Sequence, residues 1–198
     1  MDYVFGYGSL MSEYSRQTYS GIHEKVTAAT LTGWRRSWCT TYVDEGATYA
    51  GALRGDKHQL DGVLIPTVID SSIKERERGY KFTRLNTSDL SYTDEGDQVS
   101  ELDQVWICET LIESAPSEIA PLPQSYIDTC LNGCINSQGN EGAIRFIQQT
   151  SGWNSVWVND RSAPGGPIYP RFTPISKSSS EVIDSLLEQA GVLKYRRF

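Results

Sequence analysis

The sequence predicts an α+β fold, with strands concentrated in the first part of the chain and helices in the second. Short apolar or alternating runs, bounded by glycine, proline and polar clusters, recur up to about residue 111. Beyond the proline-rich connector at 115–123, apolar residues recur at helical spacing. Because the chain has 198 residues, we expect one domain with a substantial core and no second full domain.

The strand-like part starts with the apolar run Tyr3-Val4-Phe5, which predicts a buried strand at 3–6. Residues 104–111 alternate and are rich in β-branched side chains, which predicts another strand. The acidic, Thr-, Ser- and Asp-rich residues 87–101 indicate a surface loop. The other predicted elements of this part are an irregular or helical piece through 11–20, strands at about 26–34 and near 36–43, extended segments at 49–54 and 60–68, a short helix at 72–79 and a strand at about 80–86.

The second part of the chain is predicted to be mostly helical. Helices are expected at 124–135 and 139–150, and an amphipathic helix at about 179–190. Residues 151–175 contain Pro164-Gly165-Gly166-Pro167 and cannot form a continuous helix or a central strand.

A glycine-containing motif, Gly6-Tyr7-Gly8-Ser9-Leu10, follows the first strand. Glycine permits positive φ and a close approach of ligand to backbone. Successive N–H groups in such a turn can converge on a carboxylate or an oxyanion. The motif indicates an anion-holding loop, and a turn that only changes the chain direction is the alternative. Ser9 is not expected to be a nucleophile, because the motif is not a Gly-x-Ser-x-Gly elbow.

A second motif surrounds the short helix predicted at 72–79. Asp70 or Ser71 is a candidate N-cap, with Glu75 close to the capping-box position. Gly79 is the candidate helix end.

The same helix predicts different surroundings for its two glutamates. Glu77 shares a helix face with Ile73. Glu75 lies about 200° from Glu77 around the helix axis and therefore points to the opposite side, toward water. Apolar surroundings would raise the pKa of the Glu77 carboxyl toward the range useful for proton transfer. The alternative is that Glu77 pairs on a solvated surface with Arg76, Arg78 or Arg84.

In combination, these motifs resemble the γ-glutamylcyclotransferase family over roughly residues 2–150. The family has a Tyr-Gly-Ser-type loop after its first strand and a single glutamate ahead of a tyrosine. Four segments in the expected order carry the resemblance: Phe5-Gly6-Tyr7-Gly8-Ser9-Leu10, Ala28-Ala29-Thr30-Leu31-Thr32-Gly33-Trp34-Arg35-Arg36, Arg76-Glu77-Arg78-Gly79-Tyr80, and Gln124-Ser125-Tyr126-Ile127-Asp128 with Gly133.

The resemblance implies a small mixed β-barrel with helices packed outside. It divides the chain into a γ-glutamylcyclotransferase-like domain at 1–150 and a C-terminal extension at 151–198, expected to pack on the same domain. It implies an enzyme of the lyase or acyltransferase class that cyclises a γ-glutamyl group to 5-oxoproline and releases an amine or amino acid. The reaction needs no metal, no cofactor and no covalent nucleophile.

The resemblance also assigns roles to residues. Glu77 is the expected catalytic acid and base, and Tyr80 and Arg84 are either structural supports or contacts. The expected substrate-binding residues are Tyr7, Gly8, Ser9, Leu10 and, by likeness to the family's substrate-side tyrosine, Tyr126.

Two other functions remain open from the sequence. The fold could serve as a non-catalytic module that binds γ-glutamyl compounds or other small molecules, although the presence of Glu77 argues against it. It could also belong to a related lyase or acyltransferase that acts on γ-glutamylated amines.

Charge and composition limit the partners. The net charge of −7 argues against a nucleic-acid surface. The lack of a long apolar run or signal peptide in this sequence predicts no membrane contact and a cytoplasmic location. We therefore expect a monomer or homodimer that acts on a small-molecule γ-glutamyl substrate.

The cysteines do not predict a metal site. Cys130 and Cys134 are four apart, but the histidines His23 and His58 are remote from every cysteine. A zinc site needs a closer ligand pattern, so we expect all four cysteines to be reduced and mostly buried.

The segment at 151–175 concentrates aromatic and charged residues in a stretch without regular structure. One interpretation is an Asp–Arg and aromatic scaffold that fixes a long loop. The other is a lid or rim that selects substrates, since arginine can bind carboxylates bidentately.

Overall fold

A computed structural model of the protein describes residues 1–92 and 98–197. The strands within these ranges are β1 Asp2–Gly6, β2 Thr27–Tyr42, β3 Ala47–Pro66, β4 Tyr80–Leu85, β5 Leu90–Tyr92, β6 Gln104–Thr110, β7 Leu122–Pro123, β8 Thr150–Ser151, β9 Trp157–Val158 and β10 Arg196–Arg197. The α-helices are α1 Glu13–Ser20, α2 Ser71–Arg76, α3 Gln124–Gln148 and α4 Lys177–Gln189.

The main sheet has the strand order β4-β6-β1-β3-β2-β5, with β8 paired to β2. Strand β1 is antiparallel to β3 and parallel to β6. Because β3 is 20 residues long, Ala52 in its first half also reaches Glu109 of β6. The sheet therefore curls into a half-barrel in which β1, β3 and β6 all pair with one another. The predicted α+β fold, a small mixed β-barrel with surrounding helices, is confirmed.

Two long strands replace four shorter predicted ones. The polar residues 56–59 are exposed and interrupt the apolar pattern, so the local sequence indicates a break. The backbone of each strand nevertheless continues across the predicted break, while the pairing shifts register there: Thr32 pairs with Gln59 and Trp34 with Arg54, so residues 55–58 of β3 have no partner on β2. A second register shift lies between Trp38 and Thr40. The predicted pieces were 26–34 and 36–43 for β2, and 49–54 and 60–68 for β3.

Helix α2 begins as predicted but ends earlier. The Asp70 carboxylate accepts the backbone N–H groups of Ser72 and Ile73, which makes Asp70 the N-cap. The helix ends at Arg76, and Glu77 takes the C-cap position instead of Gly79.

The predicted pair of helices at 124–135 and 139–150 corresponds to α3. Gly139 interrupts its helical backbone with φ 69° and ψ −174°, a conformation that glycine adopts at little cost. The expected surface loop at 87–101 contains β5, and its residues 93–97 lie outside the described residues.

The core lies between the curled sheet and α3. Trp38 of β2 is 1% exposed, and its ring centroid lies 5.0 Å from that of Trp153 and 6.1 Å from that of Phe146. Ring pairs of this kind add to the free energy gained by burying their surface. None of the helices in the described ranges has the length and apolar character that a membrane crossing requires.

Candidate active site

The glycine loop follows β1 and is buried except at Gly8, which is half-buried. Its side chains at Tyr7, Ser9 and Leu10 are each less than 9% exposed. The carbonyl of Tyr7 accepts a hydrogen bond from Arg36 Nε at 2.7 Å, and the carbonyl of Leu10 accepts one from Arg16 at 2.7 Å. Two buried arginines therefore hold the backbone of the loop in place through its carbonyl groups.

Gly8 lies against the aromatic ring of Tyr126. A Cβ atom at this position would stand 2.7 Å from the Tyr126 hydroxyl oxygen. The same hydroxyl accepts the Ala50 N–H at 3.3 Å. The glycine is therefore required by a close approach of side chain to backbone.

Glu77 faces this loop across a shared pocket. Its side chain is 13% exposed, whereas Glu75 is exposed. The predicted contrast between the two carboxylates is therefore present in the structure. The pocket brings together the six residues selected from the sequence, namely Tyr7, Gly8, Ser9, Leu10, Glu77 and Tyr126.

Burial raises the pKa of the Glu77 carboxyl. The positive charges of Arg76 and Arg171 and a hydrogen bond involving Cys108 act in the opposite direction. Arg76 Nε lies 3.3 Å from Glu77 Oε1. The ion pair between Glu77 and Arg76, which was the alternative left open by the sequence, is therefore present. Because both side chains are largely buried, it is not the solvated surface pair of that alternative.

Arg76 connects the acid to the glycine loop. One terminal nitrogen of its guanidinium donates to Ser9 Oγ at 3.3 Å and to Ser15 Oγ at 3.0 Å. The other donates to Ser20 Oγ at 2.6 Å. Arg76 therefore holds α1, the loop and Glu77 in one arrangement.

Phenol rings form much of the remaining wall. Burial raises the pKa of the Tyr80 and Tyr126 hydroxyls well above the ordinary value, which keeps both neutral. Tyr80 donates to the Ala50 carbonyl at 2.7 Å. Arg84 is exposed on β4 and does not line the pocket, so of the two residues left open by the sequence only Tyr80 is at the site.

The cysteines offer no metal site within the described ranges. All four are buried free thiols. Nowhere in those ranges do three or more histidine, cysteine or acidic side chains gather in a way that could hold a metal ion.

Comparisons with known proteins connect this geometry to a fold. No protein-family model matches the chain, and no curated protein matches it significantly. Among solved structures, YkqA from Bacillus subtilis is similar with a TM-score of 0.54 at 17% identity, over 74% of this chain and 52% of that chain. A gamma-glutamyl cyclotransferase is similar with a TM-score of 0.53 at 14% identity, over 92% of this chain and 98% of that one.

The chain has the γ-glutamyl cyclotransferase fold. An uncharacterized protein from Homo sapiens shares it, with a TM-score of 0.52, 14% identity, and coverage of 92% of this chain and 97% of that one. This chain spans about half the length of YkqA. At identities this low, the structural similarity establishes a common fold and no more.

In this γ-glutamyl cyclotransferase fold, the C-terminal segment supplies two pocket residues that sequence reasoning did not select. Tyr169 is 1% exposed and donates its hydroxyl to Ser9 Oγ at 2.8 Å. Arg171 lines the same pocket. The signal for them in the sequence is the concentration of aromatic and charged residues in 151–175, which is compatible with a scaffold and with a substrate-selecting rim.

Asp160 anchors this segment to the start of α3. Its carboxylate accepts the N–H and hydroxyl of Ser125 at 2.8 and 2.5 Å and the N–H of Ile168 at 2.7 Å. Asp160 is 2% exposed, so these three donors would lose their acceptor in a region shielded from water.

We therefore expect Asp160→Ala to lower the free energy of unfolding by about 3 kcal/mol, since each buried donor without an acceptor is costly. Chemical denaturation measures the change. Asp56→Ala, at an exposed position, is the control and should change stability by less than about 0.5 kcal/mol. Equal effects of the two substitutions would contradict the anchoring role.

Proposed function

We propose that the protein is a γ-glutamylcyclotransferase-like enzyme that converts a γ-glutamyl compound into 5-oxoproline and a free amine or amino acid. The supporting observation is the juxtaposition of a largely buried carboxyl group, Glu77, with the glycine loop at 7–10 across one pocket. The fold shared with a gamma-glutamyl cyclotransferase supports the same assignment.

The reaction joins two groups that already belong to one molecule. The α-amine attacks the γ-carbonyl carbon, a C–N bond closes a five-membered ring, and the bond from that carbon to the leaving nitrogen breaks. Holding the substrate in an attack geometry is the main requirement, since aligned intramolecular reactions reach effective molarities of about 10⁵–10⁸ M.

Glu77 would move the one proton that the reaction transfers. As a carboxylate it takes a proton from the α-amine, and as an acid it returns that proton to the leaving nitrogen. A carboxyl whose pKa is raised by burial is a better match to both steps than an exposed one.

The loop at 7–10 would bind negative charge on the substrate. In this proposal its backbone N–H groups donate hydrogen bonds either to the α-carboxylate or to the oxyanion that develops on the γ-carbonyl oxygen. Ser9 Oγ already accepts hydrogen bonds from Tyr169 and Arg76, which leaves its own proton as the donor it can offer.

The decisive experiment incubates the protein with glutathione, several γ-glutamyl-amino acids and several γ-glutamyl-amines, and detects 5-oxoproline by mass spectrometry. Formation of 5-oxoproline from any of them, dependent on protein, supports the proposal. The compound converted with the highest kcat/KM identifies the preferred leaving group.

A non-catalytic binding module is the second candidate, and the Arg76–Glu77 ion pair favours it. A carboxylate that is paired with a guanidinium at 3.3 Å is a weaker base than a free one. Binding of γ-glutamyl compounds by calorimetry, without 5-oxoproline from any of them, would favour the module over the enzyme.

The raised pKa of Glu77 predicts a pH-dependent stability. A carboxyl with a higher pKa in the folded than in the unfolded state costs stability above the folded pKa and regains it as the pH falls through that value. Glu77→Gln cannot ionise, so its melting temperature should exceed that of the wild type at pH 8, and the gap should shrink toward pH 4. Scanning calorimetry across this range tests the sign, and a variant less stable at pH 8 would show that the ion pair with Arg76 outweighs burial.

A further inference from the structure

Arg171 stands out as a positively charged pocket residue with an unused donor. Its Nε atom is buried and finds no acceptor in the part of the chain that the structure describes. Buried polar atoms are nearly always hydrogen-bonded, so an unpaired one calls for an explanation. We propose that Arg171 binds a carboxylate group of the substrate, an inference that rests on the proposed function.

The segment that carries Arg171 is held firmly. Tyr169, two positions earlier, donates its hydroxyl to Ser9 Oγ at 2.8 Å and its N–H to Ser125 Oγ at 3.2 Å. The Arg171 guanidinium lies 5.3 Å from the centroid of the Tyr169 ring. An arginine positioned in this way before the ligand arrives loses less conformational entropy on binding.

The ion pair between Arg171 and Glu45 leaves part of the hydrogen-bonding capacity of Arg171 unused. Glu45 Oε2 lies 3.7 Å from a terminal nitrogen of Arg171, which is too long for a hydrogen bond. Glu45 is also engaged by the Tyr49 hydroxyl at 2.8 Å and by Arg78 at 3.0 Å. The guanidinium therefore has capacity for a second, better aligned carboxylate.

The charge of the pocket favours an anionic ligand. The charged side chains that line it within the described residues are Arg76, Glu77 and Arg171. Arg76 is paired with Glu77, so the lining itself carries a net charge of +1, which Glu45 at 3.7 Å from Arg171 offsets only in part because it is shared with Arg78. A carboxylate fits the planar guanidinium through two parallel hydrogen bonds.

A γ-glutamyl-amino acid offers two such carboxylates, one on the glutamyl α-carbon and one on the leaving amino acid. A γ-glutamyl-amine offers only the first. Kinetics with γ-glutamyl-alanine and γ-glutamyl-ethylamine therefore separate the two sources.

We expect Arg171→Gln to raise KM for γ-glutamyl-alanine about 10-fold, the scale of one hydrogen bond to a charged group, with a smaller change in kcat. Arg171→Lys should restore part of the loss. An equal rise in KM with γ-glutamyl-ethylamine assigns the glutamyl carboxylate, and a rise with γ-glutamyl-alanine alone assigns the leaving-group carboxylate. Arg78→Gln is the matched control, because Arg78 also contacts Glu45 but does not line the pocket. Unchanged KM for both substrates, or a change equal to that of the control, overturns the proposal.

A binding measurement keeps this inference separate from the reaction. Calorimetry gives the Kd of γ-glutamyl-alanine for Glu77→Gln and for the double variant Glu77→Gln/Arg171→Gln. Weaker binding by the double variant, in a protein whose wild type forms no 5-oxoproline, would retain the carboxylate site and reject the cyclisation. Turnover by the wild type together with equal, measurable affinities of both variants would retain the cyclisation and reject the carboxylate site.

Discussion

Glu77→Gln is expected to lower turnover of the preferred γ-glutamyl compound by about 10²–10⁴-fold, the usual contribution of a general acid and base. Glutamine keeps the shape of the side chain but can neither accept the proton of the α-amine nor return it to the leaving nitrogen. Folding should survive, because Arg76 keeps its hydrogen bonds to Ser9, Ser15 and Ser20. Release of 5-oxoproline under saturating substrate measures the loss.

Glu75→Gln is the matched control for this prediction. It makes the same chemical change two residues earlier, at an exposed position of α2. We expect its kcat and KM to remain within about twofold of the wild type, since exposed substitutions have small effects. Similar losses in the two variants would mean that the loss reflects charge on this helix and not proton transfer at the pocket.

The difference between the surroundings of these two glutamates could be predicted from the sequence, although the predicted helix at 72–79 extends beyond the observed end of α2 at Arg76. Ile73 at 3% exposure fixes which face of α2 is buried, and Glu77 follows that face even as a C-cap residue. Periodicity is a local property and was sufficient here. The glycine loop at 7–10 was predictable for a similar reason, because it directly follows an apolar strand.

The rest of the pocket depends on contacts between residues far apart in the chain. Tyr169 meets Ser9 across 160 positions, and Arg76 meets Ser15 across 61. No pattern within either segment encodes these pairs. The β2–β3 hairpin shows a different limit: local composition correctly indicates the break in pairing at residues 55–58, but not that the backbone of β3 stays extended from Ala47 to Pro66.

Gly8→Ala should lower kcat/KM by about 10²-fold, the cost of a misplacement of roughly 1 Å at a reacting centre. The added Cβ would stand 2.7 Å from the Tyr126 hydroxyl, a distance that real Cβ contacts do not tolerate. Either the loop or the Tyr126 ring must move, and both line the pocket that holds Glu77. Gly165→Ala is the control, since no described atom lies within 4 Å of its added Cβ.

The same clash predicts a rescue that a general loss of stability would not show. Tyr126→Phe removes the hydroxyl oxygen that the new Cβ meets, at the cost of its hydrogen bond from the Ala50 N–H. Gly8→Ala/Tyr126→Phe should therefore be more active than Gly8→Ala alone, because residues in direct contact do not act additively. A double-mutant cycle on kcat/KM measures this coupling. Additive losses would mean that Gly8 is needed for its backbone freedom and not for the space it leaves to Tyr126.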